Sequence, residues 1–403
     1  MKKTVILLFA MCLLLLTACE VKSENSEQAS TDQGTLASNV LKTAPEDVNQ
    51  ASFGASFVET LVGYYYWCEK QSGDSFLTLL YFCPRDGDSF RPLCSKPNCK
   101  HEDENCNAFL GVAPGGLGYY NGALYTVVEV KRQWNVVKFN LDGTDHQVAA
   151  TIDDKDWEDC SVQPIFHHGK LFLFCRASYD LPLEEQTDHL VVMNLTDFSQ
   201  KEIATEFLRT ARLQSPFIFY KDKLYLLGTG DKSQTYENYN PYDERLFEVD
   251  ANTGEVRPVL SQYTNALYVT DSTLYFFEPD LTAVGYKAGT VNPGFREYDV
   301  EGGTVKDCGL PVEDILWVRY DEDYIYALGA PGNNEKDQTL YVLSRNYELL
   351  NQFELKNGMR IYEITSDRIY LCNSSYDRAI SYYIDKSQIG SSQLSLISIK
   401  TAG

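Results

Sequence analysis

The sequence predicts an all-β protein built from repeated four-stranded units, on the basis of its composition and of one internal repeat. Tyr and Phe account for 28 and 20 of the 403 residues. They are mixed with Val, Ile and Leu in short runs, which favours strands. No long stretch has the periodicity of an amphipathic helix. The repeat then indicates which all-β architecture to expect.

Each copy of the repeat is a short strand, a tight polar turn and an aliphatic–aromatic pair that opens a second strand. A loop, a third strand, another turn and a fourth strand follow, and four strands make one propeller blade. The copies recur about every 50 residues, a period typical of propellers and solenoids. The aromatic residues of these pairs are Tyr125, Phe172, Tyr225, Tyr275, Tyr326 and Tyr370.

An earlier copy, LVGYYYWC, with Tyr66 as its aromatic residue, brings the number of repeats to seven. We therefore predict a seven-bladed β-propeller over residues 52–403, with six or eight blades as alternatives if a terminal copy is miscounted. The first strand of each blade should line the central channel. The aromatic residues that should be buried between blades include Tyr125, Tyr225 and Tyr326.

Residues 1–18 have the pattern of a lipoprotein signal peptide. Two lysines precede an apolar run, Val5 to Leu16, which is shorter than the roughly 20 residues of a membrane-spanning helix. The following LTAC resembles the lipobox of bacterial lipoproteins. The resemblance implies cleavage after Ala18, a diacylglycerol on the Cys19 thiol and a place on the extracytoplasmic side of the cell membrane. The alternative is an ordinary signal peptide with an incidental cysteine.

Residues 19–51 are predicted to form a flexible tether that begins at the lipidated cysteine. They are rich in Ser, Glu, Gln and Thr, and such a segment cannot bury enough apolar surface to offset its ordering entropy. The whole chain has a formal net charge of −22, which repels phosphate backbones and anionic headgroups. We therefore expect no nucleic-acid partner, and we attribute membrane attachment to the lipid.

The long predicted loops join second to third strands, which would place them on one face of the propeller. Binding residues often lie on loops held by a rigid scaffold. One of these loops, TYENYNPYDE, carries a tyrosine at every third position beside amides and carboxylates, a combination that suits sugar rings or peptide backbones. The alternative is that these tyrosines pack the loops onto their neighbours. The predicted ligand-binding residues are Tyr236, Tyr239, Tyr242 and Tyr286.

The segment LCSKPNCKHEDENC, residues 93–106, contains three cysteines and one histidine. Three thiols and an imidazole are one of the ligand sets of structural zinc, although the spacing is not a common zinc-finger spacing. A disulfide, for example between Cys94 and Cys99, and free packed thiols are the alternatives. The candidate ligands of this possible structural zinc are Cys94, Cys99, His101 and Cys106.

The repeat places this cysteine segment in the connection between blades 1 and 2, where we expect it to pin the connection. That position would put it on the same face as the long loops. Cys68 and Cys83, on adjacent predicted strands, could form a disulfide or pack as small apolar residues. His167 and His168 occupy the predicted turn HHGK and are expected to be exposed.

Several catalytic motifs are missing from the sequence. It has no G-x-S-x-G elbow, no phosphate-binding G-x-x-x-x-G-K-[ST] loop and no C-x-x-C. HEDEN departs from the metalloprotease motif because Asn105 stands where the second histidine is required. We therefore interpret the protein as a binding or scaffold module for a glycan, a peptide or a partner protein. The alternative is an extracellular carbohydrate-active enzyme, a glycosidase or lyase, that uses carboxylates on the loop-rich face.

Three features together resemble an uncharacterised group of propeller lipoproteins from anaerobic Gram-positive, clostridial-type gut bacteria. They are the lipobox, the Tyr-rich repeats and the C-x4-C-K-H-x4-C segment. The resemblance covers the whole mature chain, and the cysteine segment is its most specific element. It implies a cellular setting and no particular activity.

Overall fold

The computed structural model contains seven small antiparallel sheets arranged in a ring, which confirms the predicted seven-bladed β-propeller. The predicted signal peptide, the predicted tether and Cys19 lie outside the described residues. The structure describes residues 56–72, 75–111, 115–131, 133–152, 161–176, 189–203, 218–229, 244–260, 265–270, 273–278, 294–308, 310–312, 315–329, 338–356, 358–373, 379–392 and 394–399.

Every sheet is formed by consecutive strands of the chain. Blade 1 comprises β1 (Phe57–Glu59), β2 (Gly63–Ser72), β3 (Ser75–Pro84), β4 (Arg91–Pro92) and β5 (Phe109–Gly111). Blade 2 comprises β6 (Gly115–Tyr120), β7 (Ala123–Val130), β8 (Gln133–Asn140) and β9 (Gln147–Thr151). Blade 3 comprises β10 (Ser161–His167), β11 (Lys170–Arg176), β12 (His189–Asn194) and β13 (Gln200–Ile203).

The remaining four blades repeat this four-stranded plan. Blade 4 comprises β14 (Ile218–Tyr220), β15 (Lys223–Thr229), β16 (Glu244–Asp250) and β17 (Val256–Leu260). Blade 5 comprises β18 (Asn265–Thr270), β19 (Thr273–Glu278), β20 (Gly294–Asp299) and β21 (Val305–Cys308). Blade 6 comprises β22 (Ile315–Tyr320), β23 (Tyr324–Gly329), β24 (Gln338–Ser344) and β25 (Leu349–Leu355). Blade 7 comprises β26 (Arg360–Ile364), β27 (Arg368–Cys372), β28 (Ile380–Asp385) and β29 (Ile397–Ser398).

First strands of neighbouring blades contact one another. β6 contacts both β1 and β10, and β18 contacts both β14 and β22. This arrangement is expected of strands that surround a central channel. In the part of the chain that the structure describes, no helix is both long enough and apolar enough to cross a membrane.

The sequence GYYYWC begins β2, the second strand of blade 1, and it does not alternate between apolar and polar residues. Successive side chains of a strand point to opposite faces of the sheet, and here both faces are covered. Tyr64 and Tyr66 pack towards blade 7 against Tyr370, whereas Tyr65 and Trp67 pack towards blade 2. A sheet covered on both faces requires nearly continuous apolar strands.

The aromatic residues of the repeat fill the spaces between blades. Tyr125, Tyr225 and Tyr326 have exposed fractions of 3%, 0% and 0%, which confirms the predicted burial. The Tyr225 hydroxyl donates a hydrogen bond to Glu248 at 2.6 Å. The Tyr326 hydroxyl likewise donates to Asp321 at 2.5 Å. Each of these two rings therefore adds apolar contact to the core while its hydroxyl keeps a polar partner.

His167 is buried, so the prediction that it is exposed is wrong. Its side chain is 3% exposed, its Nε2 lies 2.9 Å from the Lys221 carbonyl oxygen and its ring stacks on Phe219 at 4.4 Å. Burial, with a smaller effect from neighbouring His168, lowers the pKa of His167 to about 3. The turn itself is polar, as the sequence indicates, but blade 4 covers its first histidine. His168 is half-buried.

The ring closes between blade 7 and blade 1 through side chains, since each described sheet uses one continuous stretch of chain. Arg368 donates hydrogen bonds to the carbonyl oxygens of Arg85 at 2.6 Å and Gly87 at 2.7 Å. The Tyr64 hydroxyl donates to Asp367 at 2.5 Å. Arg85 also forms an ion pair of 2.6 Å with Glu59. We call this contact between blades 7 and 1 the closure seam.

Candidate metal centre

The cysteine segment interrupts the outer edge of blade 1. β4 pairs with Tyr81 and Phe82 of β3, and β5 pairs with Thr78 and Leu79 of the same strand. β4 and β5 are therefore two halves of one broken fourth strand, and residues 93–108 project between them. The prediction that the segment connects blades 1 and 2 is wrong in this respect. The apolar AFLG that follows it continues blade 1 instead of leading into blade 2.

Tight turns fold the segment back on itself. The Cys94 N–H donates to the Pro92 carbonyl oxygen at 2.7 Å, and the Cys99 N–H donates to that of Lys96 at 3.3 Å. Asn98 and His101 have φ values of 57° and 58°, in the left-handed region that Asn and His occupy more readily than most residues. The predicted turn at Pro97 and Asn98 thus brings the first two cysteines close together.

The four candidate ligands form one cluster. The ligand atoms of Cys94, Cys99, His101 and Cys106 all lie within 4.8 Å of one another. His101 Nδ1 lies 3.1 Å from Cys106 Sγ. Tetrahedral zinc with Zn–S bonds of about 2.3 Å requires its sulfur atoms to be roughly 3.8 Å apart. The cluster is therefore close enough to hold a metal ion after small side-chain adjustments, as the sequence predicts.

The cysteines of the cluster differ in their electrostatic surroundings. Burial raises the pKa of the Cys106 thiol to about 12. Burial also opposes ionisation of Cys94, but hydrogen bonds from the backbone N–H groups of Lys96 and Asn107 and from the Cys99 and Cys106 thiols outweigh it and lower the pKa of Cys94. Thiolates are the metal-binding form of cysteine. Metal binding at this cluster would therefore release the proton of Cys106.

The cluster also faces blade 2, and we call this contact the cysteine seam. Leu93, Cys106 and Ala108 pack in one apolar cluster with Leu117 and Leu124 of blade 2. The segment therefore packs against blade 2, although it does not lie in the connection between the two blades.

Polar contacts place the cysteine seam at one end of the ring. His146 Nε2 lies 3.1 Å from the Asn107 carbonyl oxygen, and the Tyr65 hydroxyl donates to the Leu141 carbonyl oxygen at 3.1 Å. Leu141 and His146 belong to the turn between β8 and β9. Because strand direction alternates, this turn lies at the same end of the ring as the tight first-to-second-strand turns. The expectation that the segment shares the loop-rich face is therefore wrong.

Cys83, Cys94, Cys99 and Cys106 are free thiols, so neither the Cys94–Cys99 disulfide nor the Cys68–Cys83 disulfide is formed. In the register between β2 and β3, Cys68 stands opposite Leu79, and Cys83 stands opposite Tyr64. Both are buried, with exposed fractions of 5% and 1%. Of the two alternatives for this pair, packing as small apolar residues is the one observed.

The tyrosines predicted to contact a ligand lie outside the described residues. The strands that flank them are described: β15 ends at Thr229 and β16 begins at Glu244, while β19 ends at Glu278 and β20 begins at Gly294. The loop-rich face therefore stays a prediction. The residues concerned are Tyr236, Tyr239, Tyr242 and Tyr286.

Comparisons with known proteins show the fold alone. No protein-family model matches the chain, and no curated protein matches it. An acylaminoacyl peptidase in complex with Z-Gly-Gly-Phe-chloromethyl ketone is 10% identical, with a TM-score of 0.55 over 88% of this chain and 54% of that one. The Pyrococcus horikoshii acylaminoacyl peptidase is 11% identical, with a TM-score of 0.52 over 85% and 52%.

A structure from a study of two prolyl endopeptidases is also 11% identical, with a TM-score of 0.51 over 87% of this chain and 49% of that one. The chain thus spans about half the length of these peptidases. At such low identity, the similarity extends to the propeller architecture and to nothing more specific.

Proposed function

We propose that the protein is a lipid-anchored, extracytoplasmic propeller that binds a glycan, a peptide or a partner protein, as a capture or scaffold module. The observation that carries this proposal is the ring of seven antiparallel sheets. Alternating strand direction brings the ends of all second and third strands to one end of the ring. In blades 3, 4 and 5 residues 177–188, 230–243 and 279–293 join such strands, whereas in blades 1 and 2 only residues 73–74 and 131–132 do. Residues 121–122, 168–169 and 221–222 form short turns at the opposite end.

This asymmetry supports a binding role because sequence variety is concentrated where a rigid scaffold can present it. The blades are interlocked by buried aromatic residues, so loops at one end can differ without altering the core. Tyrosine-rich loops offer flat apolar faces with polar tips, which suit sugars and peptide backbones. Capture or scaffolding is therefore the function that the fold supports best.

The membrane anchor can be tested through Cys19. In the full-length protein, Cys19→Ala should abolish metabolic acyl labelling, and it should release the protein from the membrane or leave it unprocessed. Cys12→Ala is the matched control, because it removes a thiol from the apolar run and keeps the lipobox. A Cys19→Ala protein that remains labelled and membrane-bound would contradict the anchor.

The binding face can be tested with arrays of glycans, peptidoglycan fragments and peptides, using the protein without its signal peptide. Tyr239→Ala combined with Tyr286→Ala should weaken any binding found and leave thermal unfolding unchanged. Leu61→Ala, at an exposed residue on the tight-turn end, is the control. Binding that depends on the tight-turn end would contradict the proposal. Hydrolysis measured in the same wells would instead support a carbohydrate-active enzyme.

We further propose that the cysteine cluster holds a structural zinc ion. Three thiolates and one imidazole fill a tetrahedral shell, which leaves no open position for substrate. Protein purified without oxygen should contain about one zinc per chain, and His101→Ala should lose it. His168→Ala, which changes a histidine of blade 3 that is not part of the cluster, should retain it. Reduced protein without bound metal would contradict the site.

A further inference from the structure

The thiols of the cluster differ in their access to solvent. Cys94 and Cys99 are half-buried, whereas Cys106 is 3% exposed. The Cys106 sulfur also accepts a hydrogen bond from the Ala108 N–H at 3.3 Å, and it packs in the apolar cluster shared with blade 2. A small oxidant in solution would therefore meet Cys94 and Cys99 before it met Cys106.

The two accessible thiols are also the pair that one turn brings together. The hydrogen bond from the Cys99 N–H to the Lys96 carbonyl oxygen closes this turn at 3.3 Å. Their sulfur atoms are within 4.8 Å, and a disulfide requires about 2.05 Å. The residues between them are exposed, so the loop can tighten without disturbing the core. Other described thiols, such as Cys83 and Cys175, are 1% and 0% exposed and belong to the cores between blades.

We propose that the zinc-bound cluster is a redox-sensitive cross-link within blade 1, which we call the lock. A peroxide converts Cys94 and Cys99 into a disulfide, and the metal is then released. This inference rests on the zinc site proposed above. The two zinc–sulfur bonds of Cys94 and Cys99 break, and one sulfur–sulfur bond forms. Each sulfur gives up one electron. Hydrogen peroxide takes both electrons together with two protons from solvent and leaves as two water molecules.

Release of the metal follows from the number of ligands that remain. Only His101 and Cys106 are left, and structural zinc requires four ligands. Cys106 stays in the apolar core, so residues 94–101 lose their tie to the half of the segment that continues into β5. The effect should be confined to the outer edge of blade 1, because the closure seam contains no residue of the cluster.

The test uses the zinc-loaded, full-length protein, with metal and free thiols counted before any oxidant is added. Hydrogen peroxide should release zinc and remove two thiols per zinc in parallel, and a non-reducing peptide map should show a Cys94–Cys99 link. A reductant with added zinc should restore the original state. Amide exchange should rise over residues 94–109 and stay unchanged over β27. Cys308→Ser is the control and should behave as the wild type does.

The outcomes separate the two proposals. Zinc that stays bound while peroxide is consumed elsewhere overturns the lock and leaves the zinc site standing. Zinc release with a disulfide that includes Cys106 also overturns it, because the buried thiol would then be the reactive one. A reduced protein that binds no zinc before oxidation overturns both proposals. Parallel loss of zinc and two thiols with the expected link supports the lock.

Discussion

Blade 1 is joined to its two neighbours by different kinds of contact. Towards blade 7, the closure seam combines edge-to-face and tilted contacts of aromatic rings with Arg368 and Arg85, whose partners are carboxylates and backbone carbonyl oxygens. Towards blade 2, the cysteine seam consists of apolar packing beneath a loop that carries three thiols and an imidazole. Adjacent residues of β2 divide between them: Tyr64 faces the closure seam and Tyr65 faces the cysteine seam.

The two seams therefore differ in chemistry. The closure seam is held by groups whose charge does not change, whereas we expect the cysteine seam to depend on the state of its thiols. Guanidinium groups stay charged at any physiological pH, so the closure seam has the same partners under all ordinary conditions. With the proposed zinc site, the thiols of the cysteine seam should change with metal supply and with oxidants. Conditions that leave the closure seam intact should therefore still act on the cysteine seam.

Removal of the proposed zinc should produce the largest effect and act on the cysteine seam alone. A metal present at a thousand times its dissociation constant stabilises the native state by about 4 kcal/mol, so a chelator should lower the free energy of unfolding by about that amount. Denaturant titrations with and without chelator measure the change, and amide exchange locates it. Increased exchange in β26 and β27 would contradict the division into two seams.

Arg368→Ala should produce the next largest effect, at the closure seam. The side chain is 9% exposed, and its guanidinium lies 5.2 Å from the Tyr64 ring and 4.6 Å from the Tyr383 ring. Loss of its hydrogen bonds leaves two carbonyl oxygens without their donor, which should cost about 3 kcal/mol in denaturant unfolding. Arg360→Ala, at an exposed residue of the same blade, should cost almost nothing. Lower zinc affinity in Arg368→Ala would show that the seams are coupled.

A pair of glycines tests the fit of the loop against blade 2. Gly122 and Gly143 both have φ of 76°, so alanine should bring a similar backbone strain of about 1 kcal/mol at either position. A Cβ on Gly143 would also lie 2.7 Å from the Leu93 carbonyl oxygen, whereas nothing lies within 4 Å at Gly122. Gly143→Ala should therefore be the more destabilising by roughly 1 kcal/mol and should weaken zinc binding. Equal losses of stability in the two variants would mean that the cysteine segment moves away from the added methyl group at little cost.

Tyr64→Phe and Tyr65→Phe should produce the smallest effects, one at each seam. The Tyr64 hydroxyl donates to a carboxylate at 2.5 Å, and a hydrogen bond to a charged group contributes about 1.5 kcal/mol or more. The Tyr65 hydroxyl donates to a neutral carbonyl at 3.1 Å, for which about 0.5–1 kcal/mol is usual. Denaturant unfolding of the two variants compares them directly. A larger loss for Tyr65→Phe would reverse our ranking of the seams.

Features that depend on neighbouring residues in the chain were predictable from the sequence. The repeat predicted the blades because each blade is one continuous stretch, and burial of Tyr225 and Tyr326 follows from their place in the second strand. The cluster was predictable for the same reason, since its ligands lie within one short segment and local turns suffice to bring them together.

Features that depend on contacts between blades were not predictable from local pattern. His167 lies in a polar turn, and only the position of Phe219 in the next blade shows that it is buried. The break in the fourth strand of blade 1 had a weak signal, the apolar Phe109 and Leu110 after the cysteines. The side of the ring on which the cluster lies is decided by the turn that contains Gly143, which no spacing within residues 93–106 reveals.

The continuity of each sheet has a consequence for how the chain folds. A blade can collapse as soon as its own strands have emerged, because its pairings join residues close in the sequence. The contact between Ser56 and Tyr362 spans 306 positions, and the entropy lost in closing such a span must be met before that contact stabilises anything. We therefore expect ring closure to be the last event of folding. Until it occurs, the aromatic faces that carry Tyr64 and Tyr370 remain open to water, and we expect a newly synthesised chain to be most prone to aggregate through blades 1 and 7.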